Sequence, residues 1–198
     1  MKKFVFLLFI ALFAISCNNK QADTDSDEKI DTIWNEKVQD VFFDIKLGDR
    51  ANREEIVSTL YNHGIYFDKY ASTEDALCFG PSQSIYFSFG GLNWVHLSID
   101  IKGGLIYRVR FDSAHKDKAS AMSSYKSIKD AIETKYSPTI LPSPSDSTLY
   151  ASSLYVGKNN INAGIGCRRS ESISHKIFIY TILEYYLSKE PKSQNDEL

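Results

Sequence analysis

Cysteine is scarce in this chain. Cys17, Cys78 and Cys167 form no C-x-x-C pair and no Cys/His spacing of a zinc site. A small disulfide-stapled scaffold is thereby excluded. Basic residues are not in excess either: 23 Lys and Arg stand against 25 Asp and Glu. That balance argues against a general nucleic-acid partner, whose surface must neutralise phosphates. Gly90-Gly91 and Gly103-Gly104 open no G-x-G-x-x-G or Walker pattern, so no phosphate loop is expected. The histidines His63, His96, His115 and His175 share no ligand spacing, and neither a metal nor a cofactor is expected. Beyond the N-terminus the longest apolar run is Ile177–Leu183, interrupted by Tyr180 and Thr181. A spanning helix needs roughly 20 apolar residues.

What the chain does have begins at its start. Lys2 and Lys3 precede an unbroken apolar run from Phe4 to Ile15, followed by Ser16 and Cys17. A charged start, a short apolar stretch and a small residue before the cut describe a removed secretory signal, residues 1–16. Ala14-Ile15-Ser16-Cys17 resembles the lipobox of bacterial lipoproteins, with Ala14 where leucine is usual. The resemblance implies diacylation (palmitate or a similar chain) at Cys17 and a stable lipid anchor, since two chains hold where one does not. Asn18 replaces the aspartate that favours inner-membrane retention in such lipoproteins, which leans toward the outer membrane, facing the periplasm or the cell surface.

Residues 17–29 read as the acylated cysteine and an acidic, flexible tether too polar to fold. The stretch is either a solvated spacer or an export address like those of surface-displayed lipoproteins in the Bacteroidetes. Residues 30–187 form one globular domain, with a polar tail at 188–198. Apolar content of 43% and aromatic content of 13% suffice for a core. Cys78 and Cys167 are either a long-range disulfide or two buried thiols.

Periodicity places the elements. Ile30, Ile33, Trp34 and Val38 recur at helical spacing, and Val41–Leu47 reads as extended. Asn52 caps a helix over Arg53–Asn62 that stops at Gly64. Asp117 starts a longer helix over 118–136, its stripe formed by Met122, Tyr125, Ile128, Ile132 and Tyr136. From Ile65 to Phe111 the period is two, and two or three late strands lie near Ala151–Val156, Ile161–Arg168 and Lys176–Leu187. The class expected is α+β: a single domain, mostly antiparallel sheet, with two or three helices on one face and water on the other.

One hairpin gathers polar chemistry. A three-residue loop over 102–104 pairs Ile99 with Tyr107 and Leu97 with Val109. The outer face then sets Trp94 against Asp112, His96 against Arg110, and Ser98 against Arg108. Trp94, His96, Arg108 and Arg110 are the candidate binding face; the alternative is a merely solvated face with salt links such as Arg108 to Asp100. Arg168 and Arg169 add to it only if their strand lies alongside. His96, Ser98 and Asp100 share a face but span about 13 Å, too far for a triad. No catalytic residue is named.

Residues 45–111 resemble the SmpA/OmlA outer-membrane lipoproteins and the β-lactamase-inhibitor-protein-like domains. The shared features are Ile45-Lys46-Leu47-Gly48, the helix Arg53 to Leu60, and consecutive strands ending in a glycine turn between Leu97 and Arg110. The family's Gly-x-Pro after the helix is replaced by Asn62-His63-Gly64. The resemblance implies binding or assembly without catalysis. The function expected is a non-enzymatic, envelope-anchored binding or assembly lipoprotein with a protein partner. The alternatives are an envelope inhibitor or immunity-type protein and a hydrolase.

Overall fold

Alternating apolar residues make long strands here, and the strands assemble by burying one face. The computed structural model describes residues 32–82, 85–140, 147–171 and 176–192. The leader 1–16, Cys17, the rest of the tether, Ile30, His175 and the end of the tail lie outside the described residues. The strands are β1 (Trp34–Asn35), β2 (Val41–Phe42), β3 (Ile45–Lys46), β4 (Ile65–Phe67), β5 (Ala76–Pro81), β6 (Phe87–Phe89) and β7 (Leu92–Trp94). They continue with β8 (His96–Lys102), β9 (Leu105–His115), β10 (Leu149–Gly157), β11 (Ile161–Glu171) and β12 (Ile177–Leu187). Two helices are present among the described residues, α1 (Arg53–Asn62) and α2 (Lys118–Glu133).

Eight strands form one large sheet in the order β1-β10-β11-β12-β9-β8-β5-β4. All neighbours are antiparallel except β1, which adds parallel to β10. The inner face carries Leu77, Phe79, Leu97, Ile99, Val109, Phe111, Leu183, Tyr185, Ile165 and Cys167, all buried. Helix α2 packs on β9 to β12 through Tyr125, Ile128 and Ile132. Its seat is fixed by the buried Thr181 hydroxyl donating to the Ala121 carbonyl and by Tyr125 meeting Ser153 at 2.8 Å. Helix α1 packs beside β4, burying Ile56 and Leu60.

Both helix starts follow their caps. Asn52 accepts from the Glu55 amide and Asp117 from the Ser120 amide. Gly64 follows α1 with φ +73°, the conformation glycine adopts at least cost.

The remaining inner face is roofed by two small hairpins, β2–β3 and β6–β7. Phe111 lies at the centre of their aromatic cluster, stacked on Phe89 at 4.4 Å and close to Phe42, Phe43, Phe87 and Trp94.

The structure corrects four local expectations. Ile33–Val38 is not helical: Trp34 and Asn35 pair with Val156 and Gly157 instead. Side-chain amides hold this segment down, Asn35 bonding Ser137 and Val156, and Asn159 bonding both the amide and the carbonyl of Val38. Val41–Leu47 is broken by a turn at Phe43 and Asp44, whose φ values are +49° and +65°. Left-handed backbone costs a non-glycine residue about 1–2 kcal/mol. Packing of the Phe43 ring on Phe89, Phe87 and Phe111 offsets that cost.

The β8–β9 hairpin turns on Gly103-Gly104 alone, with Lys102 opposite Leu105 and a bulge between Asp100 and Ile101. The bulge changes the phase, so Ile106 points inward with Val109 while Tyr107 does not. Finally, the strand does not run unbroken from Trp94. Trp94 belongs to β7, pairs with Phe87 and is buried, and the phase changes at Val95.

Candidate binding site

The sheet's outer face keeps the polar side chains that alternate with the core. Its central row runs Cys78, Ser98, Arg110, Glu184, Gly164 and Leu154 across β5, β8, β9, β12, β11 and β10. The next row sets His96 against Asp112 and Ile182. Asp100 opposes Arg108, which in turn opposes Tyr186. His96, Arg108 and Arg110 thus share this face, but each meets a different partner from the one that the three-residue loop implies. Trp94 drops out of the group. Its ring fills the core against Phe111, and its indole N–H donates to the Phe89 carbonyl at 3.1 Å.

The charged groups hold one another. The Arg108 guanidinium donates from Nε to Asp100 at 2.7 Å and lies 3.6 Å from Glu184. Arg110 donates to Asp112 at 2.9 Å. The Asp112 side chain is only 13% exposed. Burial raises its carboxyl above the ordinary value, against the lowering effect of Arg110 and His96. The Cys78 thiol is likewise pushed up, by burial first and then by Asp100, Asp68 and Asp112, so the thiolate is disfavoured. Cys78 faces outward and Cys167 inward; both are free thiols.

A hollow of about 990 Å³ opens on this face over β5, β8 and β9. Its floor carries Cys78, Ser98, Arg110 and Asp112, and its wall is the segment following β4. That wall is built by side-chain hydrogen bonds. Asp68 accepts from the amides of Tyr70 and Ala71, and the Ser72 hydroxyl accepts from the Cys78 amide. The Ser72 bond, with those from the Asp68 amide to the Cys78 carbonyl and the Thr73 amide to the Ala76 carbonyl, occupies the backbone of β5 where β4 no longer pairs with it. Tyr70 stands fully exposed on the rim, and Tyr180 closes the opposite side, stacked on Phe178.

A smaller groove of about 370 Å³ continues the face over Gly164 and Gly166, where β11 has no side chains to raise its surface. Arg168 lines this groove; Arg169 lies apart, 3.7 Å from Glu171.

Tyr70 and Tyr180 are site residues that sequence reasoning did not single out, and Asp112 was placed on the outer face only as the partner of Trp94. Tyr70 had a signal: a tyrosine in the polar, turn-rich stretch Asp68 to Asp75 has little core to enter. Asp112 had the alternation that puts it on the outer face with Arg108 and Arg110, whereas Tyr180 had none, because strand order alone brings it to the hollow. Among the described residues no group of three or more His, Cys, Asp or Glu side chains is arranged to hold a metal ion. No described helix is long and apolar enough to cross a membrane. No family model, no curated protein and no solved structure matches this chain.

Proposed function

We propose that this is an outer-membrane lipoprotein of the α+β class, cut before Cys17, acylated there, and acting as a non-enzymatic binding or assembly module at the cell envelope. The observation that carries the reading is the hollow of about 990 Å³ on a sheet face that neither α1 nor α2 covers. The Arg110–Asp112 ion pair stands on its floor, with Tyr70 and Tyr180 at its rim. Ion pairs already formed between neighbours suit recognition, because a partner meets a preset pattern and orders few side chains on binding. Exposed tyrosine beside arginine is a composition that concentrates binding energy. The lipobox-like start of the chain supports the envelope address, and the resemblance of residues 45–111 to envelope assembly and inhibitor domains agrees with a protein partner.

The test is a photo-crosslinking side chain placed in cells at Tyr70, on the rim, and separately at Lys126, an exposed residue of α2 on the opposite side. One defined envelope protein captured from Tyr70 and not from Lys126 supports the reading. Equal capture from both positions, or none from Tyr70, overturns it.

A further inference from the structure

The edge of the sheet formed by the N-terminal segment exposes large apolar side chains beside the charged Glu36, Lys37 and Lys158. Trp34 is 56% exposed and Ile33 45%. The same edge of β10 carries the segment after α2: the Thr139 amide donates to the Leu154 carbonyl at 2.7 Å, and Ile140 beside it is 63% exposed. The other tryptophan of the chain, Trp94, is buried. These side chains sit on a rigid base. Asn35 clamps Ser137 and Val156, Asn159 clamps Val38, and the Tyr136 hydroxyl accepts from the Gln39 amide. The orientation of the patch is therefore the orientation of the whole body.

We propose that this edge, Ile33, Trp34 and Ile140, rests in the interface of a lipid bilayer and stands the sheet upright on the membrane. The inference rests on the reading of Cys17 as the acylated residue. Trp34 lies seventeen residues beyond Cys17, a reach of at most about 60 Å extended and about 20–25 Å as a coil. Tethering at that length holds the patch at an effective concentration near the millimolar range, where a contact too weak for a free protein is populated. Tryptophan, like tyrosine, favours the headgroup level. Charge does not drive the contact: Glu36 pairs with Lys158, and the acidic residues 23–31 offer no attraction to an anionic surface. Since β1 and β4 end opposite sides of the eight-stranded sheet, an upright body carries the hollow over β9, β8 and β5, four to six strand spacings from β1, about 20–30 Å from the lipid. A binding face held there meets partners in the adjoining space and not in the membrane.

The experiment uses membrane-extracted protein with Trp94→Phe, so that Trp34 is the sole tryptophan, reconstituted into phosphatidylcholine vesicles with dibrominated acyl chains. Trp34 emission is expected to shift to the blue and to fall about twofold or more, and Ile33→Ser with Ile140→Ser to restore most of it. The companion variant Trp34→Phe, Trp94→Phe, Tyr70→Trp reports from the far end and is expected to show no quenching. Red, unquenched Trp34 emission on protein that floats with the vesicles overturns the proposal. Protein that does not float overturns the acylation reading instead. It is then coupled through Cys17 to a maleimide lipid in a Cys78→Ser background and read in the same way, so the edge is tested whichever way the anchor falls.

Discussion

Arg110→Ala should destabilise the fold in proportion to the charge on Asp112, and that dependence makes it a sharp test of the site. Arg110 donates to Asp112 at 2.9 Å, and the carboxylate is 13% exposed. Removing the guanidinium leaves a largely buried carboxylate without its cation. A hydrogen bond to a charged group contributes about 1.5–3 kcal/mol, and water entering the open hollow recovers part of the loss. The expected cost at neutral pH is about 2 kcal/mol, or a fall in Tm of about 4–8 °C for a domain of this size.

The pH dependence has a definite sign. Burial raises the carboxyl of folded Asp112 above its unfolded value, so the native state keeps the proton to higher pH than the unfolded chain does. This group's contribution to stability therefore falls as pH rises through that window and is constant above it. Without Arg110 the native value rises further and the window widens. The cost of the substitution should accordingly be largest at neutral pH and shrink as pH falls toward the ordinary carboxylate range. Urea unfolding followed by tryptophan fluorescence measures the difference at each pH. Asp112→Asn combined with Arg110→Ala should remove the pH dependence of that cost. A cost below about 0.5 kcal/mol, the level of an exposed ion pair, would refute the argument, as would a cost independent of pH.

Two further substitutions probe the core behind the face. Trp94→Ala should cost about 3–5 kcal/mol by opening a cavity beside Phe111, and calorimetry should show a large fall in Tm; a near-neutral result would return Trp94 to the surface. Gly157→Ala places a methyl carbon 2.4 Å from Asn159 Oδ1 and 2.5 Å from the Ile161 carbonyl oxygen, so about 1–3 kcal/mol of overpacking is expected in urea unfolding. An unchanged midpoint there would mean that the Asn159 clamp on Val38 yields freely.

Local signals made much of this fold legible. Asn52 and Gly64 bracket α1, and Asp117 with the Tyr125, Ile128 and Ile132 stripe marks α2, because caps and helical spacing act within a few residues. Period two likewise put His96, Ser98, Asp100, Arg108 and Arg110 on one face. What escaped depends on distant partners. Trp34 lies 122 residues from Val156 and reads as helical until that pairing claims it. The turn at Phe43-Asp44 carries no glycine and is held by aromatic rings from β6 and β9. Trp94 keeps the alternation of its neighbours, yet β7 pairs with β6 and turns it into the core. The hollow depends on strand order and on the Asp68 turn, and neither has a periodic signature.

The claim on which location, partner and membrane orientation all depend is the modification of one sulfur atom. Intact-mass and peptide mass spectrometry of protein extracted from its native membranes tests it most directly. The account predicts a chain beginning at Cys17 and carrying two or three acyl groups. A free thiol at Cys17, or a leader still attached, would contradict it.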